Sequence, residues 1–239
     1  MADLKYSKLN GATGSWQNMI QRFGVVTVMN AQVYKCPEDL TGWATKQAPE
    51  IIKEFTGTGS SKLLICELNT LKIANVTEEG PDKTVTGGQY NNPLIKFGKS
   101  ARLEMQDALG NAAAIDALCG GIVESSGSNT DFGFDKTTVG AIHFGEDFEG
   151  PKTIIGDTFF IDQKTGQQVQ TNIIFYQFLP DSIFNLTQDA EGDATVFDMN
   201  GDLLATTIAI GGKDGKKTPH GVFYSIVDQA GSGAADARS

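Results

Sequence analysis

Glycine is spread along the whole chain, and short runs of β-branched and aromatic residues recur between the glycines. The 239 residues include 28 glycines, scattered instead of clustered. Because glycine interrupts regular structure and favours turns, this distribution of residues predicts many short strands joined by turns. A chain of this length forms one large domain or two small ones and can bury a substantial core. We therefore expect a mainly β fold.

The best strand candidates are short apolar runs. One of them indicates which face of its sheet is buried. In residues 101–106, Ala101, Leu103 and Met105 alternate with polar residues, so one face should be buried and the other wet. This alternation is typical of an antiparallel sheet. The predicted strands are residues 25–28, 62–67, 101–106, 154–161, 169–179, 195–199, 203–210 and 222–227.

Two turns are expected to join strands into hairpins. Residues 162–166, with the sequence DQKTG, separate two apolar runs. The Asn200-Gly201 pair is typical of a two-residue hairpin turn and is the stronger local signal. We therefore expect residues 195–199 and 203–210 to pair as a hairpin.

Two short helices are predicted between the strands. Pro49 suits the first turn of one helix and Gly57 can end it. Asn111 can cap the other helix and Gly120 can end it. The apolar residues that share one face are Ile51, Ile52 and Phe55 in the first helix, and Ile115 and Leu118 in the second. Each helix should lie across a sheet and cover it.

Charge and hydropathy narrow the possible functions. No stretch approaches the roughly twenty apolar residues that a membrane helix needs, and residues 1–19 lack the basic start and apolar run of a secretory signal. The formal net charge of −10 has no basic block to offset it, so the attraction that supports nucleic-acid binding is missing. Three irregularly spaced cysteines argue against a disulfide framework. We expect a soluble protein of a reducing compartment.

Signals for catalysis and metal binding are weak. His143 and His220 are the two histidines, and neither lies beside a nucleophile motif. Acidic residues follow His143 at 146–149, but a solvated loop explains them better than a metal site, and His220 is predicted to lie in a loop. The acidic run 189–202 lacks the spacing of a calcium loop. A carboxylate pair for glycoside hydrolysis stays open, because its separation is a three-dimensional property. We expect no enzyme, metal or cofactor.

Two segments resemble stretches of tail tube proteins of bacteriophages. They are residues 87–109, GGQYNNPLIKFGKSARLEMQDAL, and residues 184–205, FNLTQDAEGDATVFDMNGDLLA. The second segment has the family's succession of an apolar strand, an acidic turn, a Phe-Asp strand and a hairpin into another apolar strand. The order of the elements extends the likeness loosely over residues 25–227.

The resemblance implies an antiparallel β-sandwich or rolled barrel with one or two short flanking helices. It implies a structural subunit without catalytic residues, whose hexameric rings stack into the tube through which DNA is ejected. The chain then divides into an N-terminal arm at 1–24, a tail-tube-like domain at 25–229 and a flexible tail at 230–239. Implied partners are other copies of the chain, with sheath, baseplate and terminator proteins, while DNA passes without tight binding. Assembly is expected in the host cytoplasm, and the final location is the virion tail.

Residues 78–93 are a candidate contact between rings. This run is longer than a simple hairpin loop needs, and long loops are often functional. In the resembling family an extended loop at a comparable place reaches the next ring. We therefore expect charges of the neighbouring subunit to meet Asp82 and Lys83, and strand pairing at Thr84, Val85 and Thr86. A mobile surface loop is the alternative.

The acidic segment 189–202 is a candidate lining of the tube. An acidic lumen repels the phosphates that it passes, over a Debye length of about 8 Å. The residues expected to face the lumen are Glu191, Asp193, Asp198 or Asp202. Solvation of the outer surface is an equally common role for such carboxylates.

Two other functions stay open. A baseplate or tube-terminator protein would share the fold but form one ring and stop. A carbohydrate-binding β-sandwich would present aromatic side chains on one face, for which Trp16 and Trp43 are the available tryptophans.

Overall fold

A computed structural model gives the fold and describes most of the chain between residues 24 and 228. The described residues are 24–25, 30–56, 64–68, 71–80, 83–87, 92–107, 112–125, 139–144, 150–161, 168–181, 183, 197–211 and 215–228. The described residues exclude residues 1–23 of the predicted N-terminal arm, the C-terminal tail at 230–239 and the turn at 162–166.

Strands make up most of the described chain, as expected. The helices are one 3-10 helix at Thr41–Thr45, α1 at Ala48–Thr56 and α2 at Ala112–Cys119. The strands are β1 Gly24–Val25, β2 Asn30–Lys35, β3 Leu64–Leu68, β4 Leu71–Glu79, β5 Lys83–Gly87, β6 Asn92–Phe97, β7 Ser100–Asp107, β8 Gly121–Ser125, β9 Val139–Phe144, β10 Lys152–Ile161, β11 Gln168–Pro180, β12 Phe197–Leu203, β13 Thr206–Gly211, β14 Lys217–Val222 and β15 Tyr224–Asp228.

Nine of these strands form the main sheet. Its order is β3-β2-β10-β11-β12-β7-β4, with β1 also paired to β10 and β15 also paired to β11. The pairings are antiparallel. β10 and β11 are adjacent in sequence and run in register from Ile161↔Gln168 to Ile154↔Phe175, so the predicted pairing of these two strands is confirmed. Three two-stranded ribbons, β5–β6, β8–β9 and β13–β14, complete the structure.

The main sheet is open, which corrects the expectation of a rolled barrel. β3 and β4 end the strand order, and neither pairs with a second strand in the part of the chain that the structure describes. A closed barrel needs backbone pairing between the first and last strands. A side-chain contact links the two branches that leave β11, because the Tyr224 hydroxyl on β15 donates to the Glu78 carboxylate on β4. The sheet is therefore not closed into a barrel.

Both faces of the sheet bury apolar side chains. Alternation along β11 sends Ile173 and Phe175 to one face and Ile174 and Tyr176 to the other, and all four are buried. The first face packs against α2, which is buried on nearly all sides. The second face packs against α1, Trp43 and β13. Both helices thus cover the sheet as predicted.

The predicted hairpin at Asn200-Gly201 is wrong. β12 runs unbroken through these residues and pairs with β7 along its whole length, while its end pairs with β11. Gly201 lies opposite Pro180, and a Cβ on it would be 2.2 Å from the carbonyl oxygen of Leu179. Glycine is needed here for the close approach of β11, not for a turn. Pairing with distant strands has overridden the local turn preference.

Replacing Gly201 by alanine should destabilise the fold. The new methyl group would overlap Leu179, Phe178 and Pro180, and overpacking of this kind costs about 1–3 kcal/mol. Gly221→Ala is the matched control, because this strand glycine has nothing within 4 Å of the Cβ position. Urea unfolding should give a lower midpoint for Gly201→Ala alone. Equal midpoints for the two variants would show that β11 and β12 are not packed this closely.

Candidate functional site

The β5–β6 ribbon contains the residues expected to contact a neighbouring ring. Lys83, Thr84, Val85 and Thr86 lie on β5, as the strand prediction requires, while Asp82 lies outside the described residues. Their strand partners are in the same chain, with Thr84↔Lys96 and Val85↔Ile95 in register. The expected extended loop is therefore corrected to a hairpin. Within the described part of the chain, β5 and β6 pair with no third strand.

A polar surface covers the side of β12, β7 and β4 that faces away from the core. Asp198, Asn200 and Asp202 are register partners of Gln106, Glu104 and Arg102. Register partners share a face of an antiparallel sheet, and the alternate residues Leu103 and Met105 are buried. We call this surface the polar face and define it as Asn75, Thr77, Glu79, Arg102, Glu104, Gln106, Asp198, Asn200 and Asp202.

Arg102 is the cation of the polar face, and carboxylates surround it. Its guanidinium donates to Asp181 and to Asp202 Oδ1, the latter at 3.3 Å, and its Nε lies 4.0 Å from Glu104 Oε1. The hydrogen bond to Asp181 is the main reason that the pKa of Arg102 is raised. The defined face has four carboxylates (Glu79, Glu104, Asp198, Asp202) and one guanidinium, which leaves a net charge of −3.

Two of the four acids expected to line the lumen lie on the polar face. Asp198 Oδ1 accepts a hydrogen bond of 2.7 Å from Gln106 Nε2. The side chain of Asp202 is 63% exposed and pairs with Arg102. Glu191 and Asp193 lie outside the described residues. The structure thus brings Asp198 and Asp202 together on one strand, and Asp202 has in Arg102 a basic partner that the sequence pattern had not predicted.

Glu78 connects the base of the β5–β6 ribbon to the main sheet. Gly98 adopts φ 83° in the turn between β6 and β7, a conformation that favours glycine, and Lys99 next to it donates to the Glu78 carboxylate. Two hydrogen bonds lower the pKa of Glu78. The larger effect comes from Lys99 and the smaller from Tyr224. Burial is the main reason that the pKa of Tyr224 is raised, and the Glu78 carboxylate raises it further.

His143, His220 and Trp43 are the described residues among those considered for catalysis and sugar binding, and they lie on three separate elements. His143 is exposed on β9. His220, expected in a loop, lies on β14 opposite Ile208, because the β13–β14 ribbon extends over it. Trp43 is only 2% exposed and packs edge-on against Phe55 with 6.2 Å between ring centroids. A buried ring cannot serve as a sugar platform, so Trp43 does not supply the aromatic platform that the carbohydrate-binding alternative needs.

Three observations bear on the broader expectations. Cys36, Cys66 and Cys119 form no disulfide in the described structure. Across the described residues, no three His, Cys, Asp or Glu side chains are grouped so that they could hold a metal ion. No helix in the described segments is long and apolar enough to cross a membrane.

Two comparisons with known proteins found no match. No protein-family model matches the chain, and no curated protein matches it.

Glu78 should make a measurable contribution to the pH dependence of stability. Because its pKa is lowered in the folded state, its stabilising effect is present above the unfolded pKa of about 4.3 and is lost as the pH falls through the folded value. The difference in unfolding free energy between wild type and Glu78→Gln should be largest near pH 6 and should shrink towards pH 3. The effect should be small, since the carboxylate is partly exposed.

Glu79→Gln is the control for this measurement. It makes the same charge change one residue further along β4, away from the contacts of Lys99 and Tyr224. Urea unfolding of the three proteins across the pH range gives the comparison. A difference between wild type and Glu78→Gln that does not vary with pH would contradict the assigned hydrogen bonds.

Proposed function

We propose that this chain is a structural subunit of a bacteriophage tail tube, and that its hexameric rings stack into a conduit for DNA. The main support for the proposal is the position, in the fold, of the two segments that resemble tail tube proteins. Residues 87–109 supply β6 and β7, and residues 184–205 supply β12. β7 and β12 are register partners over seven residue pairs. The β7 part of the first segment and the β12 part of the second, distant in sequence, are therefore neighbours in one sheet.

The open ends of the main sheet support assembly into rings. β4 is nine residues long and pairs with β7 alone among the described strands. Exposed edges of this length invite pairing with another chain, and natural monomers usually shield them. Ring formation removes such edges from solvent. We also propose that the fold is sandwich-like, with α1 and the β13–β14 ribbon as the layer over one face of the sheet.

The polar face is the surface that best suits the lumen in this proposal. Its carboxylates outnumber its one guanidinium, which is already held by Asp181 and Asp202. A wall of this kind repels phosphate instead of retaining it. Asp198 and Asp202 would then act as lining residues, and the chain would work without an enzymatic activity or a cofactor. Its location would be the virion tail, after assembly in the host cytoplasm with sheath, baseplate and terminator proteins as further partners.

Assembly of the purified protein tests the proposal. We expect hollow tubes in negative-stain images and light scattering that grows with protein concentration, because each open edge gains a partner on association. Isolated rings that never stack would favour the alternative role of a baseplate or terminator protein. A monomer across the whole concentration range would contradict both roles.

Reversing the charge of the lining should make the tube retain DNA. Tubes that carry Asp198→Lys with Asp202→Lys should co-sediment with short duplex DNA at low salt and release it at high salt, because lysine binds phosphate electrostatically. Glu38→Lys with Asp39→Lys changes the net charge equally at two exposed residues outside the polar face. If the two double variants retained DNA equally, the polar face would not line the lumen.

A further inference from the structure

The close approach of β11 to β12 requires a glycine directly after an asparagine. A Cβ at Gly201 would be 2.2 Å from the carbonyl oxygen of Leu179, so this position excludes a larger residue. Glycine has no Cβ, and its backbone nitrogen is therefore unshielded towards the side chain that precedes it. The packing of the sheet thus gives Asn200 the neighbour with which an asparagine reacts most readily.

Deamidation is the reaction that such a pair undergoes. The backbone nitrogen of Gly201 loses its proton to a base from the solvent and attacks Cγ of Asn200. A bond forms between these two atoms, the Cγ–Nδ2 bond breaks, and the nitrogen leaves as ammonia after taking a proton from the solvent. Water then opens the cyclic imide at either carbonyl, which gives aspartate or isoaspartate at position 200.

The sheet directs the attacking nitrogen away from the side chain. The carbonyl oxygen of Asn200 accepts a hydrogen bond of 2.8 Å from the N–H of Asp181, which directly follows β11. Hydrogen-bonding directions alternate along an antiparallel strand, so the N–H of Gly201 points the other way, towards its register partner Leu103 on β7. The Asn200–Gly201 peptide must rotate to react, and this rotation breaks hydrogen bonds on both sides of β12. Because the Asn200 side chain is only half-buried, the protection comes from the backbone pairing.

The products of the reaction do not fit the sheet. Glu104 is the register partner of Asn200, and Asp198 and Asp202 lie on the same face. A carboxylate at position 200 changes the net charge of the polar face from −3 to −4, and like charges opposite each other destabilise a sheet. Isoaspartate also adds one carbon to the backbone, which shifts the register of the rest of β12.

We propose that Asn200 is a site of spontaneous deamidation, which the pairing of β12 with β7 and β11 holds inactive, and that a chain which has reacted is excluded from the native sheet. β12 lies between these two strands, and its Met199 and Leu203 are in the core. Its release therefore needs much of the main sheet to open. The inference does not depend on the proposed function.

A comparison of folded and unfolded protein tests the protection. The chain has one other Asn-Gly pair, Asn10-Gly11, which serves as the rate reference. In urea at mildly alkaline pH, peptide mapping by mass spectrometry should show similar deamidation rates at the two pairs. In the folded protein Asn200 should react about a hundredfold or more slowly than in urea, because core strands open rarely. A folded-state rate close to the rate in urea would overturn the inference, and so would an Asn200 that stays intact in urea while Asn10 reacts.

A destabilised variant tests whether the sheet must open. Ile174 is fully buried on β11 in the core that includes α1. Ile174→Ala should raise the deamidation rate of Asn200 in the folded protein by the same factor by which it raises the unfolded fraction. Glu38→Gln, at an exposed residue outside the sheet, should change neither quantity. If Ile174→Ala lowered the urea midpoint but left the rate unchanged, deamidation would not require the sheet to open.

Refolding after ageing tests the exclusion of the products. Wild type and Asn200→Gln are kept in urea until Asn10 has reacted in both, and are then diluted into buffer. Glutamine forms its larger cyclic imide much more slowly, so this variant keeps a neutral amide; Asn200→Ser repeats the control with a smaller side chain. Circular dichroism should show that aged wild type loses folded protein in proportion to its isoaspartate content at position 200, while the aged variants refold as fresh samples do. Equal yields from aged wild type and both variants would overturn the inference.

Discussion

The antiparallel pairing of β10 with β11 is the interaction on which the rest of the structure depends. It is the longest pairing in the sheet, and β11 is buried on both faces over most of its length. β2 adds to one side of this pair, and β12 and β15 share the other side. Because each face of β11 carries large apolar side chains, the pair also provides the base for both cores. Both helices and the outer strands pack around it.

The two faces and the two ends of the sheet differ in their chemistry. The side of β7 and β12 that carries Leu103 and Met199 is in the core, and the opposite side is the polar face. Alternation alone produces this division, since successive side chains point to opposite faces. The polar face, the open edges and the ribbons therefore coexist on one small scaffold. In the proposed assembly the polar face lines the lumen and the open edges join subunits within a ring.

Features that depend on local sequence were predictable, and features that depend on distant strands were not. α1 and α2 could be predicted from their capping residues and apolar faces, and the alternation around Leu103 gave the buried side of β7. The Asn200-Gly201 pair was misleading, because its glycine meets β11 in space. β2 was overlooked, since NAQVYK has a weak strand pattern and is held by β10 and β3. Likewise, the partnership of Arg102 with Asp202 requires the register of β7 against β12.

The strand order also determines when the sheet can form during synthesis. Before β10 is made, the chain can form the separate pairs β2–β3 and β4–β7, but no strand connects them. β10, β11 and β12 then join the two pairs into one sheet, and the long loops that must close make this step slow. β13 and β15 follow these strands in the chain. The second core, to which Ile208 of β13 and Val227 of β15 contribute, is therefore completed only after β10 and β11 have been made.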